Sequence, residues 1–199
     1  MFARAIVNRK WVVAAAVAAI LAVVIGVQLG RSVIPSGTAH RATTVAPKPI
    51  QFRDAQSGLA LKYPRGWTRL SVKDPQVRLV AAASPATSLL LRVSRSDLAD
   101  VTVRTLPVVR SFTDDLIGAD NRARLLSAPE EVSVGGLPGF RYRYTYTTSD
   151  GKIGAHVHYF LFKHKRLVQL VFQQVPSPTL PNVEPAFNRI AGSLVSSGR

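Results

Sequence analysis

His156 and His158 have the spacing that metal chemistry uses. Side chains two apart on a strand project from the same face, so both imidazoles can reach one zinc or copper ion. Two ligands leave such a site incomplete, and His164 falls beyond the start of the expected turn. An exposed strand face or hydrogen-bonded histidines is the expectation, with no metal and no other cofactor. Asp114-Asp115 and Glu130-Glu131 are the candidates for general acid–base work. Neighbouring residues diverge by about 100° on a helix and face opposite ways on a strand. Neither pair can present two carboxylates to one substrate, as glycoside hydrolysis requires; both read as solvated surface. There is no Gly-x-Ser-x-Gly nucleophile turn. Gly135-Gly136-x-x-Gly139 leads into a strand pattern, so it reads as a turn and not as a dinucleotide loop.

A more informative constellation is the alternation of Phe140, Tyr142, Tyr144 and Tyr146 with Arg141, Arg143, Thr145 and Thr147. Aromatic and basic side chains so mixed can stack on bases or sugars. Packing of the aromatic face under a helix explains the pattern more simply. A pocket, if there is one, is expected where a helix only partly covers this sheet. Trp67, Tyr142, Tyr144, Arg141 and Arg143 are then its ligand-binding candidates. No catalytic residue is assigned, and the reading is non-enzymatic.

The elements that must position these residues follow from periodicity. Gly58 to Tyr63 alternates and is closed by Pro64; Val77 to Ala83 and Ser88 to Arg95 form two more strands around Ser84-Pro85-Ala86-Thr87. Leu89, Leu91 and Val93 share a face. Thr105 can cap a helix with Leu106-Pro107 in its first turn, a Val109/Phe112/Leu116/Ile117 stripe and Gly118 as its stop. Strands resume over Leu125 to Val134, turn at Gly135 to Gly139, and continue over Phe140 to Thr147. Ser149-Asp150-Gly151 is a hairpin signal. Ile153 to Phe162 and Leu167 to Gln174 follow, with Lys163 to Arg166 between them. A last helix is capped by Asn182 and buries Phe187, Ile190, Ala191 and Leu194. The plan is α+β: an antiparallel sheet of about six to eight strands flanked by helices.

Ahead of this domain, Trp11 to Gly30 is a run of twenty residues without a charge, entered through Arg4, Arg9 and Lys10. As a helix it spans a hydrocarbon core of about 30 Å. Tight basic charge before it and sparse charge after it place the N-terminus in the cytoplasm and the rest outside. The run is longer than the apolar region of a cleaved signal peptide, and only the distant Gly37-Thr38-Ala39 offers a cleavage site, so it reads as an uncleaved signal-anchor. Residues 1–10 are thus a cytoplasmic basic segment, 11–30 a single-pass transmembrane helix, 31–50 a flexible linker and 51–199 an exported domain. Pro35, Pro47 and Pro49 deny the linker regular structure; extended, it reaches roughly 60 Å.

The chain has no cysteine, which excludes disulfides, thiolate metal sites, Cys nucleophiles and a lipidated N-terminal cysteine. Of the formal +15, residues 1–50 carry six basic and no acidic groups, leaving twenty basic and eleven acidic residues for the rest. Scattered Arg on a solvated face accounts for most of that excess, and export removes nucleic acid as a partner. Arg outnumbers Lys and Ala and Val abound, as in chains from high-GC bacteria.

Phe52-x-Asp54 with Gly58-Leu59-x-Leu61-x-Tyr63-Pro64-x-Gly66-Trp67 resembles the opening of PsbP-like domains. Gly136-x-Pro138-Gly139 before the aromatic strand and the terminal Phe187-x-x-Ile190-Ala191-x-Ser193-Leu194 fit the same plan. The resemblance spans residues 51–196 and implies an α/β/α sandwich serving as a binding or assembly module. It extends to small actinobacterial cell-envelope proteins, many of them lipoproteins, from which this chain departs by lacking the lipobox cysteine. The resulting expectation is a membrane-anchored envelope module that binds another envelope protein. The alternative is a carrier or sensor of a small apolar or anionic ligand, such as a lipid, held between sheet and helix.

Overall fold

The computed structural model describes residues 47–98 and 100–197. The expected basic segment, transmembrane helix and all but the end of the linker lie outside them. Among the described residues, no helix is long and apolar enough to cross a membrane.

Strands β1 (Ile50–Asp54) and β2 (Leu59–Tyr63) form an antiparallel hairpin, and β1 begins on the last residue assigned to the linker. Gly58 closes their turn with φ of +67°, a conformation glycine takes without penalty. Leu59, Leu61 and Tyr63 alternate inward and are all buried, the period-2 burial of a strand with one face on the core. The Pro64–Trp67 turn that follows is held by the Trp67 N–H on the Pro64 carbonyl at 3.0 Å.

The larger sheet has eight strands. These are β3 (Thr68–Leu70), β4 (Val77–Ser84), β5 (Thr87–Arg95), β6 (Arg124–Leu125), β7 (Glu130–Val134), β8 (Leu137–Thr147), β9 (Ile153–Lys163) and β10 (Arg166–Gln174). Their order is β3-β4-β5-β10-β9-β8-β6, with β7 also paired to β8. The described residues hold two α-helices, α1 (Leu106–Gly118) and α2 (Leu180–Gly192). A short β11 (Val195–Ser196) returns to β2, making a second, three-stranded sheet.

Two large cores and a small cluster of Val80, Leu90 and Val171 follow from the alternation among the described residues. One sheet face carries Leu89, Leu91, Val93, Val157, Leu161, Val168 and Phe172, covered by the small sheet and by Phe187, Ile190 and Ala191 of α2. The opposite face carries Phe140, Tyr142, Tyr144, Phe160, Phe162 and Leu167 under Leu106, Val109, Leu116 and Ile117 of α1. At Gly139 the strands approach so closely that a Cβ would lie 2.0 Å from the Phe160 carbonyl oxygen, so the glycine belongs to β8 itself.

Several details depart from the sequence expectations. The Leu125–Val134 strand is two, because Pro129 cannot donate to a continuous ladder. The turn before the aromatic strand is only Gly135-Gly136, with φ of +61° and +78° and Val134 paired to Leu137; these values match a two-residue hairpin turn. Gly118 ends α1 without a left-handed φ, the cap being Ala119 in a right-handed conformation. The second helix starts at Leu180, two residues before Asn182, with its N-cap at Thr179 and not at Asn182. Pro181 suits the first turn, where its missing N–H has no partner to lose.

Candidate functional site

His156 and His158 are buried, each 1% exposed, on the face of β9 that looks toward Tyr144 of β8. The Tyr144 hydroxyl lies 3.0 Å from His156 Nδ1 and 3.3 Å from His158 Nδ1. One hydroxyl has a single proton, so it donates to one Nδ1 and accepts from the other. His156 Nε2 lies 3.4 Å from the Gln173 amide oxygen, an acceptor. One consistent arrangement results: His156 Nε2–H donates to Gln173, Tyr144 donates to His156 Nδ1, and His158 Nδ1–H donates to Tyr144. His158 Nε2 then needs a donor, and none reaches it among the described residues.

The rings are also packed. Tyr146 stacks on His156 at 4.2 Å and Phe160 on His158 at 3.8 Å between centroids. Burial pushes the His156 pKa down to about 4, against weaker opposing effects of Gln173 and Asp120. Burial, then the neighbouring His156, holds His158 well below its ordinary value. Burial likewise raises the phenols of Tyr144 and Tyr146. The cluster is therefore neutral near pH 7. Among the described residues, no three His, Asp or Glu side chains are grouped to hold a metal. Gln169, Gln173 and Arg92, all buried, extend this polar patch across β10 and β5; sequence reading missed all three.

The five ligand-binding candidates are divided by the sheet. Tyr142 is fully buried under α1, its hydroxyl donating to Asp114 Oδ1 at 2.6 Å and lying 2.7 Å from Thr113 Oγ1. Tyr144 belongs to the histidine cluster. Arg141 and Arg143 face the other way. Arg141 pairs with Glu184 of α2 and with Glu130 at 3.1 Å, and Arg143 reaches the same two carboxylates at 3.6 Å each. That four-charge group ties β7 and β8 to α2. Asp114 and Glu130 thus bind neighbours across the fold, beyond the solvated role read from sequence. Trp67 is half-buried on the α2 side, its ring edge-on to Phe187 at 6.5 Å. Trp67→Ala is expected to cost about 1–3 kcal/mol in denaturant unfolding, less than a fully enclosed tryptophan would. An unchanged midpoint would contradict a packing role for the indole.

A different concavity lies at one end of the molecule. A cleft of about 810 Å³ opens between the β1–β2 turn, the end of β5, the β9–β10 turn and Ser197. Its lining includes Arg78, Arg95, Lys163, Lys165 and Arg166. Register explains the concentration of charge: Arg95 stands opposite Arg166, and Arg166 opposite Lys163. Three cations therefore form a row across β5, β10 and β9 on one sheet face. Lys163 is 8% exposed, and its ammonium donates to the carbonyls of Ser57 at 3.0 Å and Ser197 at 2.9 Å. Burial, then the charge of Arg166, lowers its pKa. A Cβ at Gly58 would lie 3.0 Å from that ammonium, so the glycine makes room for it.

No family model and no curated protein matches the chain. Solved structures do. The cyanobacterial PsbP of Synechocystis superposes with a TM-score of 0.55 at 18% identity, covering 81% of this chain and 98% of its own. LpqN, involved in cell envelope biogenesis of Mycobacterium tuberculosis, gives 0.53 at 13%, covering 74% and 90%. The Ran-binding protein Mog1p of Saccharomyces cerevisiae gives 0.50 at 11%, covering 73% and 94%. At these identities the likeness is one of fold: residues 50–196 form a PsbP-like α+β domain, as the Tyr-Pro-x-Gly-Trp stretch implied.

Proposed function

We propose that this chain is a non-enzymatic recognition module, anchored in a bacterial cell membrane by residues 11–30 and displaying residues 51–199 to the cell envelope. The observation that carries the reading is the filling of both spaces between sheet and helices. Phe172 stacks on Phe187 at 4.8 Å under α2, and Tyr142 meets Phe160 edge-on at 5.4 Å under α1. With these interiors occupied by side chains, recognition falls to the surface, which supports a binding or assembly module over a carrier of an apolar ligand between sheet and helix. The Ran binding of Mog1p supports the use of this fold for binding a protein, and the involvement of LpqN in cell envelope biogenesis supports an envelope setting. The linker over residues 31–50 would act as a tether that raises the local concentration of the domain near other membrane components.

The test is in-cell crosslinking of the full-length protein in its membrane, followed by mass spectrometry. A reproducible protein partner, lost when residues 51–199 are deleted, is the expected result. Repeated capture of no protein, with a lipid or small molecule co-purifying on the intact domain, would overturn it in favour of the carrier.

A further inference from the structure

The geometry points to a phosphoryl-binding site in the basic cleft between the β1–β2 and β9–β10 turns. Like charges directly opposed on neighbouring strands destabilise a sheet, yet Arg95, Arg166 and Lys163 stand in one row. Lys165 adds a fourth cation from the two-residue turn, where His164 takes a φ of +50°. The described ion pairs include none of these four; Arg78, which lines the same cleft, is compensated by Asp54 at 3.5 Å. Lys163 is the most telling. A buried ammonium is costly unless its charge is met, and here only two neutral carbonyls meet it.

An anion in the cleft would relieve the whole row at once. One carboxylate neutralises a single charge, whereas a phosphate group carries up to about two and offers three acceptor oxygens. Guanidinium forks at Arg95 and Arg166 match phosphate oxygens bidentately. The cleft is open on one side, so it admits a phosphate borne on a larger molecule. Its cations come from segments about seventy residues apart, gathered by strand pairing and not by a local basic run.

The test uses the full-length chain in neutral detergent at low ionic strength, titrated with sodium pyrophosphate in a calorimeter. Saturable binding is expected, weakened at least tenfold by either Arg95→Glu or Lys165→Glu, both exposed positions on which the core does not depend. Lys152→Glu, at the far end of β9, should leave it unchanged. Displacement of pyrophosphate by phosphatidylglycerol vesicles would support the site with a lipid headgroup as its source; no displacement would support it with a soluble phosphate compound. Absent saturable binding, equal competition by sodium acetate, or indifference to both cleft variants would overturn the assignment.

Discussion

Phe187→Ala is expected to lower the unfolding free energy by about 3–5 kcal/mol, the range for deleting an enclosed aromatic side chain. The ring is 0% exposed, lies nearly parallel to Phe172 and takes Trp67 on its edge. It is the largest of the α2 side chains buried on the large sheet, beside Ile190 and Ala191, and the same helix supplies Glu184 to Arg141 and Arg143. With no disulfide to restrain the unfolded chain, packing must supply the stability, which for a domain of this size totals about 5–15 kcal/mol. Urea unfolding of the variant should show a midpoint shifted far down. A change below about 1 kcal/mol would contradict the seating of α2 described here.

Stability should also fall by about 3 kcal/mol between pH 6.5 and pH 4 on account of His156 alone. In the unfolded chain the imidazole titrates near 6.5; in the fold burial pushes it down to about 4. Below 6.5 the unfolded state therefore binds more protons than the native state, so its contribution is fully present above 6.5 and is lost as pH falls through the folded value. His158, shifted the same way, steepens the loss. Denaturant melts across this window should drop for the parent protein. His156→Gln should be less stable at pH 7 but flatter with pH. Equal slopes for the two proteins would show that the histidines titrate freely and are not enclosed.

The apolar framework was legible because it obeys local periods. Leu89, Leu91 and Val93, the Phe140-to-Tyr146 stripe, and Phe187, Ile190 and Ala191 all turned inward as their spacing predicts. Element ends were less so. Asn182 is a better capping residue by type than Thr179, but Pro181 fits the first turn of a helix that begins at Leu180. The polar features were hidden for a different reason. Gln169, Gln173 and Arg92 belong to types that normally face water, and only the register of β5, β10 and β9 buries them beside the histidines. The row of Arg95, Arg166 and Lys163 is likewise a property of pairing; in sequence these residues belong to three unremarkable strand ends. Tyr142 and Tyr144 lie under α1 while Trp67, Arg141 and Arg143 lie on the α2 side, because alternate residues of β8 face opposite layers.

Display of the domain outside the membrane on a single helix is the proposal to test most directly, and the absence of cysteine makes that test available. Two single-cysteine variants of the full-length protein, Ser149→Cys in the exposed β8–β9 hairpin and Ala3→Cys before the apolar run, should be treated in intact cells with a membrane-impermeant maleimide. Labelling at position 149 in intact cells, with position 3 labelled only after lysis, is the result this account predicts. Protection of position 149 until lysis would place the domain in the cytoplasm and contradict it.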